Sequence, residues 1–312
     1  MYRQILVPLD GSKLAEQVIP YVRLLARGLG AQVQLLRVIE PLPPAGLTDP
    51  AREVYRQEML TRLEQEAHDY LEAVAASLKE DGFTVSTTVQ DGAPLSRPAS
   101  FIVSQAIEDS ATLIAMCSHG RSGINRWVLG SVADEVIRSS TSPLLVVRGK
   151  EEEELGAEVK LESVVVPLDG SPIAEQVLPH AASLAKALGL KMVLLWVFPL
   201  IEGHYTDIGI EATTYGVPMY GEVSQAVESE ASRYFIAMEE ELRRLGAPEV
   251  GAHLLWGQPA STIVDFAQDT PNDLVAMTTH GRSGIGRWLL GSVADRVIRH
   301  SGDPVLLIRA KE

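Results

Sequence analysis

The sequence predicts an α/β protein made of two tandem open, doubly wound parallel-sheet domains. Three observations predict it: an internal duplication, an alternation of apolar strand-like runs with helix-periodic stripes, and glycine-bearing turns where strand-like runs end. Val7-Pro8-Leu9-Asp10-Gly11-Ser12 recurs as Val166-Pro167-Leu168-Asp169-Gly170-Ser171, an offset of 159. His119 to Arg138 recurs as His280 to Arg299, an offset of 161, with 17 of 20 positions identical. The mismatches are Asn125/Gly286, Val128/Leu289 and Glu135/Arg296. Offsets this long mark a duplicated domain rather than a solenoid, whose repeats run to roughly 20–50 residues.

Within each copy the elements follow in order. Ile5-Leu6-Val7 is a first apolar strand, ended by Pro8. Ala15, Val18, Val22 and Leu25 then lie at helical spacing, and Ala174, Val177, Ala181 and Leu184 repeat the stripe. Second strands are expected at Val33 to Ile39 and Lys191 to Phe198, followed by long amphipathic helices over Ala51 to Glu80 and about Val223 to Leu245. Third strands fall near Thr84–Val89 and Gly251–Trp256, and fourth strands at Leu113–Met116 and Leu274–Met277. Pro143 to Arg148 and Pro304 to Arg309 close the copies. Strands that are apolar almost throughout belong in a parallel sheet covered on both faces. Such open sheets bind ligands at the carboxyl ends of their strands.

The domains are expected at 1–149 and 161–312, joined by an acidic linker at 150–160 that contains Glu151-Glu152-Glu153-Glu154. The 312 residues are 46% apolar and carry a formal net charge of −14, with no Lys/Arg-rich run, which argues against nucleic acid as a partner. The single cysteine, Cys117, excludes an intramolecular disulfide framework and fits a reducing compartment. The start of the chain has no signal-type apolar region, and no apolar stretch reaches the ~18 residues of a membrane span. A cytoplasmic location without membrane contact is therefore expected.

Two motifs sit where chemistry is expected. Asp10 and Asp169 follow the first strands, where a carboxylate can accept from an adenine amino group or a ribose hydroxyl; it can equally shape the turn while Ser12 caps the next helix. Gly120 and Gly123 follow the fourth strand, and Gly130-Ser131 opens a helix whose Ser131-Val132-Ala133-Asp134 has the form of a capping box. A helix start with free N–H groups is an anion site, so a phosphate chain can lie there; a capped helix after Gly-Ser that binds nothing remains the alternative. His119 and His280 are candidate bases with no nucleophile assignable beside them. No P-loop, zinc-type His-Glu pattern or complete Gly-x-Ser-x-Gly elbow is present.

A strand ending in Val-Pro-Leu-Asp-Gly-Ser, a distant Gly-x9-Gly-Ser before a helix, and a closing Pro-Leu-Leu-Val-Val strand resemble the universal stress protein domain, twice over nearly the whole chain. The resemblance implies a Rossmann-like fold of the adenine nucleotide α-hydrolase type, with the two copies related by a pseudo-two-fold. Gly120 with Gly130-Ser131, and Gly281 with Gly291-Ser292, match the later part of the family's G-x2-G-x9-G-[ST] pattern. Cys117 and Thr278 stand where the family's first glycine lies against the ribose, so a side chain narrows the space there. By position the resemblance assigns adenine contacts to Asp10 and Val38, and to Asp169 and Val197. Ribose and phosphate contacts fall to Gly120, Arg121, Gly130, Ser131 and Val132, and to Gly281, Arg282, Gly291, Ser292 and Val293. Pro8, Leu9, Met116, Cys117 and His119, with Pro167, Leu168, Met277, Thr278 and His280, complete the two expected sites.

The implied ligand is ATP, with Mg2+ or Mn2+ held through its phosphates, and the implied role is a stress-response sensor or regulator. Slow ATP hydrolysis and a scaffold with decayed sites are the alternatives. Pairing of the closing strands within one chain, Leu144–Val147 with Val305–Ile308, is implied, and a homodimer is open. The copies also differ. Leu95-Ser96-Arg97-Pro98 reads as an insertion after Gly92-Ala93-Pro94, compared with Gly257-Gln258-Pro259, and Ile201 to Gly221 as a lid or a loop without a role. Gly286 in place of Asn125 favours the second copy if only one binds.

Overall fold

The structure, a computed structural model, describes residues 2–40, 42, 50–91, 97–109, 111–119, 129–149, 159–199, 219–270, 272–281 and 290–310. These gather into two compact units. The first holds the described residues up to 160 together with Asp303–Arg309; the second holds those from 161 to 281 and Gly291–Gly302. The linker stretch at 150–158, Gly120 to Val128, Arg282 to Leu289 and residues 201–218 lie outside the described residues.

In chain order the first unit has β1 (Gln4–Pro8), α1 (Lys13–Glu16), α2 (Ile19–Leu29), β2 (Gln32–Ile39), α3 (Pro50–Glu80), β3 (Val85–Asp91), α4 (Pro98–Ile107), β4 (Thr112–Cys117), α5 (Ser131–Ser139) and β5 (Leu144–Val147). The second repeats the order with β6 (Ser163–Leu168), α6 (Pro172–Glu175), α7 (Leu178–Leu188), β7 (Lys191–Phe198), α8 (Met219–Leu245), β8 (Glu249–Trp256), α9 (Pro259–Asp269), β9 (Asp273–Thr278) and α10 (Ser292–His300). The last strand, β10 (Val305–Ile308), belongs to the first unit.

The first unit's strands are ordered β3-β2-β1-β4-β5-β10 and the second's β9-β6-β7-β8. Strands β1–β2, β1–β4, β2–β3, β4–β5, β6–β7, β6–β9 and β7–β8 pair in parallel, and β10 runs antiparallel to β5, with Leu306 opposite Leu145. The expected pairing of Leu144–Val147 with the chain's last strand is thus present. Consecutive strands lie either side of the first one, so the chain reverses its winding beside β1 and again beside β6. Those reversals place the ends of β1 and β4, and of β6 and β9, at the switch points where such sheets bind ligands.

The central strands are buried on both faces, as their composition requires. Ile5, Leu6, Leu113, Ile114, Val164, Val165 and Leu274 are all fully buried. The apolar stripe Ala15, Val18, Val22, Leu25 is buried as well, but it crosses two helices rather than one. Pro20 and Pro179 lack the N–H that would continue the turn before them, so α1 and α6 end after four residues. In α3 only the C-terminal half packs: Ala67, Leu71, Ala75 and Leu78 are buried, whereas Val54, Tyr55 and Met59 stand exposed.

Two expectations are corrected here. Both α4 and α9 begin on a proline at the first helical position, Pro98 and Pro259, so Pro98 rather than Pro94 is the counterpart of Pro259. The extra residues of the first copy therefore precede that proline. Of the Ile201 to Gly221 segment, Met219 to Gly221 are helical, because α8 starts earlier than its apolar pattern suggests. Among the described residues, no helix is long and apolar enough to cross a membrane.

Candidate functional site

Each unit builds its cleft from two backbone features. The first is the turn after β1 or β6. Oδ1 of Asp10 accepts from the Ser12 amide at 2.9 Å and the Ser12 hydroxyl at 2.6 Å, and Ser12 Oγ then accepts from Ala15 N to cap α1. Asp169 repeats this with Ser171, at 3.0 and 2.6 Å, and Ser171 caps α6. The aspartate shapes the turn, and it also lines the cleft.

The second feature is the start of α5 or α10. Gly130 and Gly291 are the N-caps, and neither helix has a side-chain cap. The expected capping box is not formed. Ser131 is already helical, and Asp134 turns along the helix to Arg138, with contacts of 2.8 and 3.1 Å; Asp295 and Arg299 do the same. The consequence is favourable for an anion. First-turn amide groups keep no side-chain cap, and the nearby carboxylate carries its own counter-ion. Glycine is needed at the cap because the backbone comes so close to the end of the fourth strand. Gly130 N donates to Ser118 O at 2.8 Å, and a Cβ there would lie 3.1 Å from the same oxygen. For Gly291 the corresponding Cβ would lie 2.9 Å from Thr279 O.

The first cleft has a volume of about 460 Å3 and the second about 220 Å3. Pro8, Leu9, Asp10, Val38, Met116, Cys117, His119, Gly130, Ser131 and Val132 all line the first. Pro167, Leu168, Asp169, Val197, Met277, Thr278, His280, Gly281, Gly291, Ser292 and Val293 all line the second. Gly120, Arg121 and Arg282 lie outside the described residues. Sequence reasoning missed the apolar walls supplied by distant elements: Leu36, Pro98, Ile102 and Leu63 in the first, Leu195, Pro259 and Ile263 in the second. It also missed Arg37 and Glu40, charged lining residues of the first cleft only. The retained Pro98 and Pro259 were the available signal for α4 and α9.

Among the described residues, Leu63 of α3 and Leu42 also line the first cleft. A Cβ on Gly281 would lie 2.4 Å from Oδ2 of Asp169, so the turn's backbone rests against that carboxylate.

The two residues at the missing glycine position behave differently. Burial pushes the Cys117 thiol up to about 12, against a backbone hydrogen bond from Val18, so the sulfur is a packed, un-ionised group. Thr278 instead donates its hydroxyl to His280 O at 2.6 Å and ties the second turn to itself. His119 shares a 3.0 Å hydrogen bond between Nδ1 and Ser118 Oγ, and its Nε2 is buried without a partner among the described residues. Burial and the Arg148 charge lower its pKa, which keeps the ring neutral at pH 7. His280 Nδ1 stands 3.1 Å from Thr279 Oγ1. Among the described residues, no group of three or more His, Cys, Asp or Glu side chains is arranged to hold a metal.

Comparison with known proteins is consistent across the chain. A family model described as the universal stress protein family matches residues 1–148 and again 160–309. A universal stress protein of Mycolicibacterium smegmatis is 26% identical over 317 residues, covering 98% of this chain and 97% of that one. One from Methanocaldococcus jannaschii is 32% identical over 162 residues, covering 48% of this chain and 97% of its own length. The solved structure of a universal stress protein from Archaeoglobus fulgidus matches with a TM-score of 0.70 at 21% identity, covering 99% of both chains, a likeness of fold.

Proposed function

Because the chain belongs to the universal stress protein family, we propose that its first copy binds ATP or another adenine nucleotide and acts through that binding as a stress-response sensor or regulator. The observation that carries this reading is the first cleft. Its volume of about 460 Å3 falls within the roughly 300–1,000 Å3 usual for small-molecule sites, and it joins an apolar slot to an uncapped helix start. Leu36, Val38, Ile102 and Met116 give the slot its apolar walls, which suit a base. Asp10 at its edge would accept from the adenine amino group or a ribose hydroxyl. The amides of Ser131 and Val132, at the positive end of α5, would hold phosphate oxygens. Mg2+ or Mn2+ would be held mainly by those phosphates.

The second copy is proposed as the weaker site. Its cleft of about 220 Å3 is below the usual range. This reverses the preference drawn from Gly286. Binding is proposed to alter association or partner contact rather than to drive turnover, and the cytoplasm is the proposed location.

The test is titration of nucleotide-stripped protein with Mg-ATP, ADP, AMP and cAMP; the last is included because a solved universal stress protein is described in complex with it. Saturable binding of one adenine nucleotide per chain supports the proposal. No heat and no thermal shift up to millimolar nucleotide would move the weight to a non-binding scaffold. ADP release that follows protein concentration, and is lost in Ser131→Ala, would indicate slow hydrolysis instead.

A further inference from the structure

The second unit buries an acid at the end of its sheet away from the cleft. Ser163 opens β6, Asp273 opens β9, and the two face each other in register. Asp273 is 0% exposed and Ser163 5%. The Ser163 hydroxyl donates to Oδ1 of Asp273, while Oδ2 has no hydrogen-bond partner among the described residues. The nearest influences offer no compensation. Glu162, just before β6, is a like charge. Lys191 on β7, opposite Ser163, has its ammonium 2.8 Å from Glu249 Oε1. A carboxylate out of water with one donor is costly in its charged form, so the neutral form is favoured.

Among the described residues, the first unit has no buried acid at this place. In the same register positions it carries Gln4 and Thr112, neither of which ionises, and Gln4 donates to Gln34. The acid is therefore a feature of one copy, and no part of the proposed nucleotide site uses it.

We propose that Asp273 and Ser163 form a proton-linked latch, in which the uncharged carboxyl closes the foot of β6 and β9 and its ionisation loosens that pairing. Burial raises the Asp273 carboxyl to about 6, with the Glu162 charge adding to the rise and the Ser163 hydrogen bond opposing it. The ordinary value is 3.8, so the folded unit binds the proton more tightly than the unfolded chain. Stability from this group is complete below about pH 3.8 and is lost as pH rises through about 6. Because β9 carries Met277 and Thr278 to the second cleft, the latch also sets how firmly that cleft's floor is held.

The experiment is amide hydrogen exchange on the full chain between pH 5 and pH 7.5, corrected for intrinsic exchange, together with 13C NMR titration of the Asp273 carboxyl. Peptides covering β6 and β9 should gain about tenfold in protection on going from pH 7.5 to pH 5. Peptides from β1 and β4 should show no such gain. Asp273→Asn should be protected at both pH values and lose the dependence. Ser163→Ala, a milder change, should move the carboxyl midpoint upward. A wild-type midpoint near 3.8, or β6 and β9 peptides without pH dependence, overturns the proposal. So does an unmoved midpoint in Ser163→Ala, which stands even if Asp273→Asn fails to fold.

Discussion

Strands β2 and β7, eight residues each, occupy the same place beside the first strand of their unit and pair with it in the same register. At the sixth position one carries Arg37 and the other Trp196, and each faces a tyrosine of the long helix that follows. The Arg37 guanidinium lies 5.1 Å from the Tyr70 ring centroid; Trp196 meets Tyr234 edge-on at 5.0 Å and Phe235 at 6.4 Å. Duplication thus preserved the backbone frame while one copy kept a charged, wider rim and the other filled the position with an aromatic cluster. The difference teaches that motif identity does not measure site capacity. The two glycine–helix segments share 17 of 20 residues, yet the clefts differ about twofold in volume.

Exchanging the divergent pair tests this most severely. Trp196→Arg would bury a guanidinium against Tyr234 and Phe235 and should cost about 3–5 kcal/mol in chemical denaturation. Arg37→Trp, at a half-buried site already in contact with a ring, should cost less than about 1 kcal/mol. Equal costs would mean that the two environments are not distinct.

The glycine caps give a finer comparison. Gly291→Ala forces a Cβ to 2.9 Å from a backbone oxygen and should destabilise by about 1–3 kcal/mol. Gly130→Ala, at 3.1 Å, should cost less in the same denaturation series. A reversed order would contradict the geometry of the helix starts.

Acid should act on the two units with opposite sign. His119 has a lowered pKa, so its contribution to stability is present above its unfolded value and is lost as pH falls. Asp273 contributes in the other direction. Hydrogen exchange should therefore show the first unit losing protection near His119, and the second gaining it near Asp273, over the same fall in pH. His119→Gln should abolish the first slope only. The smallest effect is expected at the Asp134–Arg138 pair, which is half-exposed: Asp134→Ala should change stability by less than about 1 kcal/mol. A larger loss would restore a capping role to Asp134.

The strands along the chain, both long helices and the motif-borne part of each cleft lining were legible because each has a local signature. The β7 run is apolar after Lys191, β2 keeps apolar residues at the matching positions of its frame, and the two copies corroborate each other. Helices α4 and α9 were not legible, since short apolar runs such as Phe101-Ile102-Val103 lack a period that separates helix from strand. The capping box failed because Gly130 takes the cap position, which depends on how closely the chain returns to Ser118. Leu63 and Ile102 reach the first cleft from distant elements, so no motif announces them. No local motif marks Asp273 as buried; only the sheet's register puts it opposite Ser163.

The central claim is that the first cleft takes the nucleotide and the second does so poorly. Calorimetric titration with Mg-ATP on the wild type, Asp10→Ala and Asp169→Ala tests it directly. Both aspartates make the same pair of turn hydrogen bonds, at 2.9 and 2.6 Å and at 3.0 and 2.6 Å, so each variant loses the same two turn contacts. One site per chain is expected, weakened about 10- to 100-fold in Asp10→Ala and unchanged in Asp169→Ala. Binding lost in Asp169→Ala and kept in Asp10→Ala, or no saturable binding at all, would contradict it.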